Sequence, residues 1–570
     1  MLFVQAAKFG GKPFVWTKRD SGWAPMSWTE IVQDITHLAR ALRDLGIEAG
    51  DRVAIVAEGS PQWIIADFAV MAAGGISVPA YTTSTVDDYR HILANSGAKG
   101  LILSNDALAR RVMPAANQIS SLRFVVSFEA LHQQSNTDCY RWDEVLARGA
   151  ALAADITAIS DRLQLDDTAC IIHTSGTGGV PKGVMLTHRN ILSNCRGVGQ
   201  ILGELRQGKE IFLSFLPLNH AYEHMAGVMF PVSIGAEIYL SRGAETLAAE
   251  MLEVRPTIVT AVPRLFETLH RRITTAMERQ GGTTLRLFRR TLALGRKRDR
   301  ASKSLSWFER VVDACLTRLV RAKIAKRFGG RLVAFVSGGA PLNPEIGLFF
   351  KALGVTLLQG YGQTEASPVV CINPLNRIRV GTVGPPLTDI ELKIAEDGEI
   401  LVRGPCVMKG YWNDPDATAR TIRDGWLHTG DVGETDPDGY LRITDRKRDF
   451  IKNAGGEMIA PARVEGFLTF QHGIAQALVY GDQRPYLTAL IVPDESLIRE
   501  AKGAVHQRLA AAVDAANAML APAERIRRYA VTLEPFTVEN GQMTPTLKLR
   551  RREIIQAYGA VLNGLYERGG

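Results

Sequence analysis

Cysteine is scarce and scattered in this 570-residue chain: Cys139, Cys170, Cys195, Cys315, Cys371 and Cys406. No two are spaced like a zinc knuckle or a redox pair, and a chain of this length does not depend on disulfide staples. Reduced thiols in a cytoplasmic protein are the expectation. Long hydrophobic runs are also missing, since none approaches the roughly 18 consecutive apolar residues a spanning helix requires. The opening stretch, residues 1–16, is interrupted by Lys8, Gly10, Gly11, Lys12 and Pro13, which fits neither a signal peptide nor a membrane span. Low-complexity tracts and a 20–50-residue repeat are lacking, which excludes a disordered tail-like chain and a solenoid.

What is present is ordinary globular composition, 46% hydrophobic and 22% charged, in a chain too long for one core, so at least two domains are expected. The net charge of +8 is concentrated. Residues 271–331 hold 18 Lys or Arg against the four acids Glu278, Asp299, Glu309 and Asp313, so the remainder is net acidic. Whole-chain nucleic-acid binding is therefore not implied. Ser27 and Glu30 form a capping-box pattern before an apolar 3.6-residue periodicity that ends at Gly46, predicting a helix over 27–46. Residues 51–56 then read as a buried strand and 61–73 as a helix. The alternation continues through strands at 100–104 and 122–127, the pattern of a parallel α/β layer. Beyond about residue 380, short strands near 391, 398 and 439 separated by Asp/Gly/Pro turns suggest a β-rich lobe. The charged stretch 445–449 is a plausible joint to a mixed tail.

The sharpest chemical signal is His173-Thr-Ser-Gly-Thr-Gly-Gly-Val-Pro-Lys-Gly183. Glycines and small hydroxyl residues leave backbone N–H groups open to phosphate oxygens, and Lys182 adds a point charge. It is not a Walker A loop, because Pro181 precedes the lysine and Gly183 stands where a Mg²⁺-binding Ser or Thr is needed. Taken alone, a GTGG stretch is more often a flexible turn.

The segment resembles the phosphate loop of the acyl-adenylate-forming superfamily, and further motifs follow in that family's order: Leu216-Pro-Leu-Asn-His-Ala-Tyr-Glu223, Ser337-Gly-Gly-Ala-Pro-Leu342, Gln359-Gly-Tyr-Gly-Gln-Thr-Glu365, Trp426-Leu-His-Thr-Gly-Asp431, Asp445-Arg446, Gly455-Gly-Glu-Met-Ile-Ala-Pro461 and Thr544-Pro-Thr-Leu-Lys548. The resemblance implies an α/β fold: a large N-terminal domain of stacked α/β subdomains plus a β-rich lobe (1–445), and a smaller mobile α+β C-terminal domain (446–570). It implies an ATP- and Mg²⁺-dependent activation of a carboxylic acid to acyl-AMP, then thioester formation with coenzyme A.

By the same resemblance, Thr174, Ser175, Gly176, Thr177, Gly178 and Lys182 would cradle phosphates, and Thr364 would bind the α-phosphate. Glu365 and Thr174 would hold Mg²⁺. Gly338, Gly339, Ala340, Gln359, Gly360, Tyr361 and Gly362 would form the adenine wall, with Asp431 and Arg446 on the ribose. Lys548 would neutralise charge during adenylation, and His220 would close over the acyl carboxylate. Lys452, Gly455 and Gly456 would line the CoA path after rotation about a hinge at Arg448. Alone, His220 reads almost as well as a structural histidine, Thr364-Glu365 as solvated surface, Lys548 as one cation of a basic tail, and Gly455-Gly456 as a helix cap and turn.

The residues Val262-Pro-Arg-Leu-Phe-Glu267 and the long basic helical stretch to Arg327 resemble the long-chain fatty acyl-CoA synthetase branch. Within that stretch, Leu285-Arg-Leu-Phe-Arg-Arg290 and Trp307-Phe308 pair apolar anchors with cations, a composition suited to peripheral docking on the inner face of a membrane; a solvated helical face is the competing reading. Departures from the family pattern are Gly178 for Thr or Ser, His173 for a common Tyr, and Arg448 for Asp or Lys. A ligase that loads a carrier protein, a ligase for a non-fatty acid, and a silent lipid-binding homologue stay open as alternatives.

Overall fold

The computed structural model describes all residues except 175–180, 204, 206–208, 301–304, 448, 501–503, 545–547 and 568–570. Helix Trp28–Asp44 starts on the predicted box: the Ser27 N–H donates to Glu30 Oε2 (2.7 Å), and the Glu30 N–H donates back to Ser27 Oγ (3.2 Å). Its Ile31, Ile35, Leu38 and Leu42 face is buried, and Gly46 takes φ 88° just past its end. Helix Pro61–Ala72 is instead apolar almost all round. That suits its place between two sheets, because its core neighbours include Val53 and Ile55 of one sheet and Phe14 and Ile238 of the other.

Among the described residues both sheets have eight strands. In the first, Arg52–Val56 pairs in parallel with Ile76–Pro79 and Gly100–Leu103, and toward one edge Thr168–Thr174 and Lys182–Thr187 form an antiparallel pair with Gly410–Tyr411 outermost. In the second, Glu237–Leu240, Ile211–Ser214, Ile258–Ala261, Ala334–Ser337 and Leu357–Gly362 run parallel in that spatial order. A β-rich lobe follows, in which Trp426–Thr435 lies antiparallel to both Glu399–Arg403 and Leu441–Arg446. The tail holds a hairpin, Ile451–Lys452 with Met458–Ile459, and a three-stranded sheet covered by Pro461–Phe470, Val505–Asn517 and Arg551–Glu567. No described helix is long and apolar enough to cross a membrane.

The basic segment forms helices Pro263–Gln280, Gly282–Arg300, Trp307–Leu316 and Ala322–Arg327. Here the structure divides two stretches that the sequence reading treated alike. Phe288 is buried (3% exposed) against Phe349, and a Cβ at Gly295 would lie 2.3 Å from Ala352, so Gly282–Arg300 is pressed onto helix Pro344–Ala352. Residues 285–290 therefore turn their apolar anchor inward, whereas Trp307 and Phe308 face outward.

The first helix of this segment also grips the C-terminal region. Arg264 donates to the Ala475 carbonyl (2.6 Å), Arg271 pairs with Asp494 (3.0 Å), and His270 stacks on Phe470 with ring centroids 4.9 Å apart. Asn343 adds a hydrogen bond to the Gly466 carbonyl (2.6 Å).

Candidate active site

Two of the motifs, 337–342 and 359–365, lie at the carboxyl ends of neighbouring parallel strands, where open α/β sheets bind ligands. Ser337 ends one strand and pairs in register with Gln359 on the next. Glycine is required at two points here. Tyr222 hydroxyl donates to the Val336 carbonyl (2.8 Å), and its ring lies so close beneath Gly338 that a Cβ there would sit 3.0 Å away. At Gly362 a Cβ would meet the Pro368 carbonyl oxygen at 1.6 Å, which closes the tight return into Thr364–Ala366. Gly339, at φ 81°, and Ala340 continue the loop after Ser337, and Gly360 packs beneath the Cys371 carbonyl. Gln359 is held by its carbonyl, which accepts from the Asn373 N–H at 3.1 Å.

A polar cluster forms above these strand ends. Tyr361 hydroxyl donates to Asp431 Oδ2 (2.7 Å), and Arg446, directly across the strand pair, reaches Asp431 Oδ1 (3.2 Å). Desolvation raises the Asp431 carboxyl, opposed by Arg446, by the Tyr361 hydrogen bond and by Lys548. Lys548 comes from the far end of the chain. Its N–H donates to Thr544 Oγ1 (3.0 Å), while the Thr544 N–H donates to its carbonyl (2.8 Å), which ties its backbone to Thr544. Desolvation and the nearby Arg446 pull its ammonium down to about 8, with Asp431 and Glu365 opposing. His220 belongs to the same group: desolvation, reinforced by Lys548, holds it down to about 3, and its Nδ1 accepts the Tyr222 N–H (3.1 Å). A neutral His220 can therefore offer Nε2–H as a donor.

On the phosphate side, Glu365 Oε1 accepts from the Tyr411 hydroxyl (2.9 Å), and Lys182 Nζ sits 4.8 Å from the Tyr411 ring centroid. Thr174 lies opposite Lys182 in the strand pair. Buried polar atoms without protein partners, Ser337 Oγ and Gln363 Nε2, belong to the same two strand-end loops as Gly338 and Glu365. Such atoms suit a site that a polar ligand completes. Among the described residues no cluster of three or more His, Cys, Asp or Glu could cage a metal. One carboxylate plus substrate phosphates is the usual Mg²⁺ arrangement, and Glu365 offers a carboxylate of that kind on the phosphate side.

Ser175, Gly176, Thr177 and Gly178 lie outside the described residues, as does Arg448. Lys452, Gly455 and Gly456 are not brought to the cluster. They occupy the exposed hairpin, where Lys452 N–H donates to Asp482 (3.1 Å), the Ala454 N–H donates to the Arg484 carbonyl, and Gly456 takes φ 85° in the turn. Sequence reasoning missed Tyr411, whose only local signal is the aromatic pair after Gly410. It gave no role to Glu223, the last residue of the 216–223 motif, which is buried with Ser214 (2.5 Å) and Thr260 (2.7 Å) and pushed up to about 7 by desolvation. Lys447 was missed as well, although it ties the end of the lobe to Glu399 (3.3 Å) and Asp397.

The fold and this cluster are those of a nucleotide-dependent acyl-activating enzyme. The AMP-binding enzyme family profile matches residues 2–412, and the AMP-binding enzyme C-terminal domain profile matches residues 448–570. The chain belongs to the AMP-binding enzyme family. It is 33% identical to the long-chain-fatty-acid–CoA ligase FadD15 of Mycobacterium bovis, over 96% of this chain and 93% of that protein. It is 29% identical to the chloroplastic long-chain-fatty-acid–[acyl-carrier-protein] ligase AEE15 of Arabidopsis thaliana, over 95% and 82%. In fold it is similar to the A domain of a carboxylic acid reductase from Segniliparus rugosus, solved with AMP and a co-purified carboxylic acid. The TM-score is 0.79 at 23% identity, covering 100% of this chain and 94% of that one.

Proposed function

We propose that this protein activates a long-chain fatty acid to its coenzyme A thioester at the expense of ATP. The observation that carries the reading is the convergence of Lys548, from the C-terminal region, on Asp431, Glu365 and His220, in a chain whose 33%-identical relative is named a long-chain-fatty-acid–CoA ligase. In the first step a carboxylate oxygen of the acid attacks the α-phosphorus of ATP, and pyrophosphate leaves. Asp431 and Arg446 hold the ribose, Tyr361 and residues 338–340 border the adenine, and Thr364 donates to the α-phosphate. Lys548 and the phosphate loop oppose the charge that builds on the phosphoryl oxygens. Mg²⁺, held by Glu365 and Thr174, would supply charge neutralisation on the phosphates. In the second step the CoA thiol adds to the acyl carbonyl, loses its proton, and AMP departs.

Lys548 must withdraw for that second step, so residues 446–570 act as the mobile unit, and Lys452, Gly455 and Gly456 approach in the rotated state. The grip by Arg264, Arg271 and Asn343 then belongs to the adenylating arrangement alone. The double variant R271A/N343A is expected to lower acid-dependent pyrophosphate release by about 5–10-fold, the worth of two partly buried polar contacts. Transfer from supplied acyl-adenylate to CoA should hold or rise. An equal fall in both half-reactions would count against the two-state reading.

Adenylation should also titrate with Lys548. The protonated ammonium is the competent form, so kcat/KM for ATP is expected to be flat below its free-enzyme value of about 8 and to fall tenfold per pH unit above it. In K548R that descending limb should vanish, because arginine stays charged.

Release of AMP and pyrophosphate with acids from acetate to oleate, with and without CoA, tests the function itself. Sustained AMP release that needs both a long-chain acid and CoA supports it. A CoA-independent burst, relieved by acyl carrier protein, would favour the carrier-loading reading that the AEE15 relationship motivates. Peripheral contact of the basic segment 271–331 with a membrane belongs to the same reading, since an insoluble acid is collected most readily at a lipid surface.

A further inference from the structure

We infer that the outer face of residues 307–323, and not the basic segment as a whole, docks on an anionic lipid surface. These residues form one continuous helical rod: Trp307–Leu316, a wider π turn over Thr317–Arg321, and Ala322–Arg327. Along it Trp307 is 77% exposed, Phe308 58%, Val311 53% and Leu319 51%. Positions 307, 311, 315 and 319 recur every fourth residue, and with 308 they fall within an arc of about 120° on a helix of 3.6 residues per turn. Lone exposed apolar residues are unremarkable, but two adjacent large aromatics in line with two aliphatics form a contiguous patch that marks an interaction surface.

The charges divide by face. Both acids of the rod point away from the patch and are paired with cations. Glu309 accepts from Lys297 (2.8 Å) and caps the helix at Ser306, while Asp313 is buried against Arg321 (2.6 Å) and Arg298 (3.2 Å). The opposite face is held to the protein by buried Leu305 and Leu316 with Leu294. That leaves Arg310, Arg318 and Lys323 as the exposed charges beside the aromatics, with no exposed acid among them. Arg318 lies within the stripe, and Arg310 and Lys323 flank it.

Aromatic and aliphatic anchors interleaved with cations match a bilayer boundary, where the rings sit among headgroups and each Lys or Arg gains about 1 kcal/mol from an anionic surface. A second copy of this chain fits less well. A two-fold contact through the same face would bring the Arg310, Arg318 and Lys323 cations of two copies together with no exposed acid between them. The fatty-acid reading explains why such docking would be useful, but the surface argument does not depend on it.

The test is sedimentation of the full chain with phosphatidylcholine vesicles and with vesicles containing phosphatidylglycerol, without ATP, acid or CoA. Binding is expected only to the anionic vesicles and should weaken with salt. W307S/F308S and R310E/R318E should each weaken it by about tenfold or more. R286E/R289E/R290E, on the inward-packed helix, should weaken it far less. Because the substituted side chains are exposed, melting temperature and AMP release from detergent-dispersed acid should stay at wild-type values. Vesicle binding that is absent, or indifferent to both patch variants, overturns the inference. So does a concentration-dependent dimer in size-exclusion chromatography that W307S/F308S abolishes. An active enzyme that ignores vesicles would sink the docking surface and leave the proposed reaction standing. An inactive protein that binds them through Trp307 and Phe308 would do the reverse.

Discussion

K548A is expected to lower acid-dependent pyrophosphate release by about 10²–10³-fold, the loss typical of removing one preorganised group that stabilises developing charge. The argument rests on where the ammonium sits. It shares its surroundings with Asp431, Glu365 and His220, yet arrives on a loop near the chain's C-terminal end. The loss should fall on one half-reaction only. Supplied acyl-adenylate needs no charge neutralisation at an α-phosphorus under attack by a carboxylate, so its conversion with CoA should stay within a few-fold of wild type. Rapid-quench measurement of the two steps separates these outcomes. Equal losses in both would mean that Lys548 holds the site together and does not act in adenylation. The melting temperature should not fall, because an ammonium pulled down to about 8 by burial is a cost to the folded state at neutral pH.

D431A is expected to reduce kcat/KM for ATP by roughly 10²–10³-fold, mainly through KM. The carboxylate is the acceptor for Tyr361 (2.7 Å) and Arg446 (3.2 Å), and its oxygens are the acceptors available for ribose hydroxyls. Hydrogen bonds to a charged partner contribute about 1.5–3 kcal/mol each, and two of them reach this range. The carboxyl is raised by desolvation, so the folded protein holds that proton more tightly than the unfolded chain does. Above its pKa the ionised group therefore costs stability, and removing it should leave the melting temperature within a few degrees. Isothermal titration with AMP and a thermal melt of the same sample test both halves. D431N, which retains one acceptor oxygen, should lie between wild type and D431A. Weak AMP binding with a large drop in melting temperature would recast Asp431 as a structural residue.

Much of the fold was legible because its local rules agree. The Ser27–Glu30 box, the apolar spacing after it and the terminal Gly46 specify one helix before any tertiary contact forms, and the structure places that helix at Trp28–Asp44. Short β-branched runs such as residues 52–56 suit buried parallel strands, and they are found there. The motif residues were legible for another reason: phosphate, ribose and adenine recognition needs small, hydroxylic or charged side chains in fixed order along one loop. Partners supplied from distant sequence were not legible. Nothing near Glu365 announces Tyr411, and nothing near Asp67 announces its buried contact with His224 (2.9 Å).

The basic segment shows the same limit. Residues 285–290 and the stretch around Trp307 and Phe308 both set large apolar groups among cations, and the sequence alone could not tell inward from outward. Helix Pro344–Ala352 decided it, by accepting Gly295 at a distance no larger side chain allows and burying Phe288 beside Phe349. By itself, then, the sequence determined the chemistry on offer and the local elements, since propensity, capping and motif spacing act over a few residues. Only the tertiary structure decided which apolar side chains meet water and which distant groups share a site. It alone brought Lys548 to Asp431, because those choices depend on packing between segments far apart in the sequence.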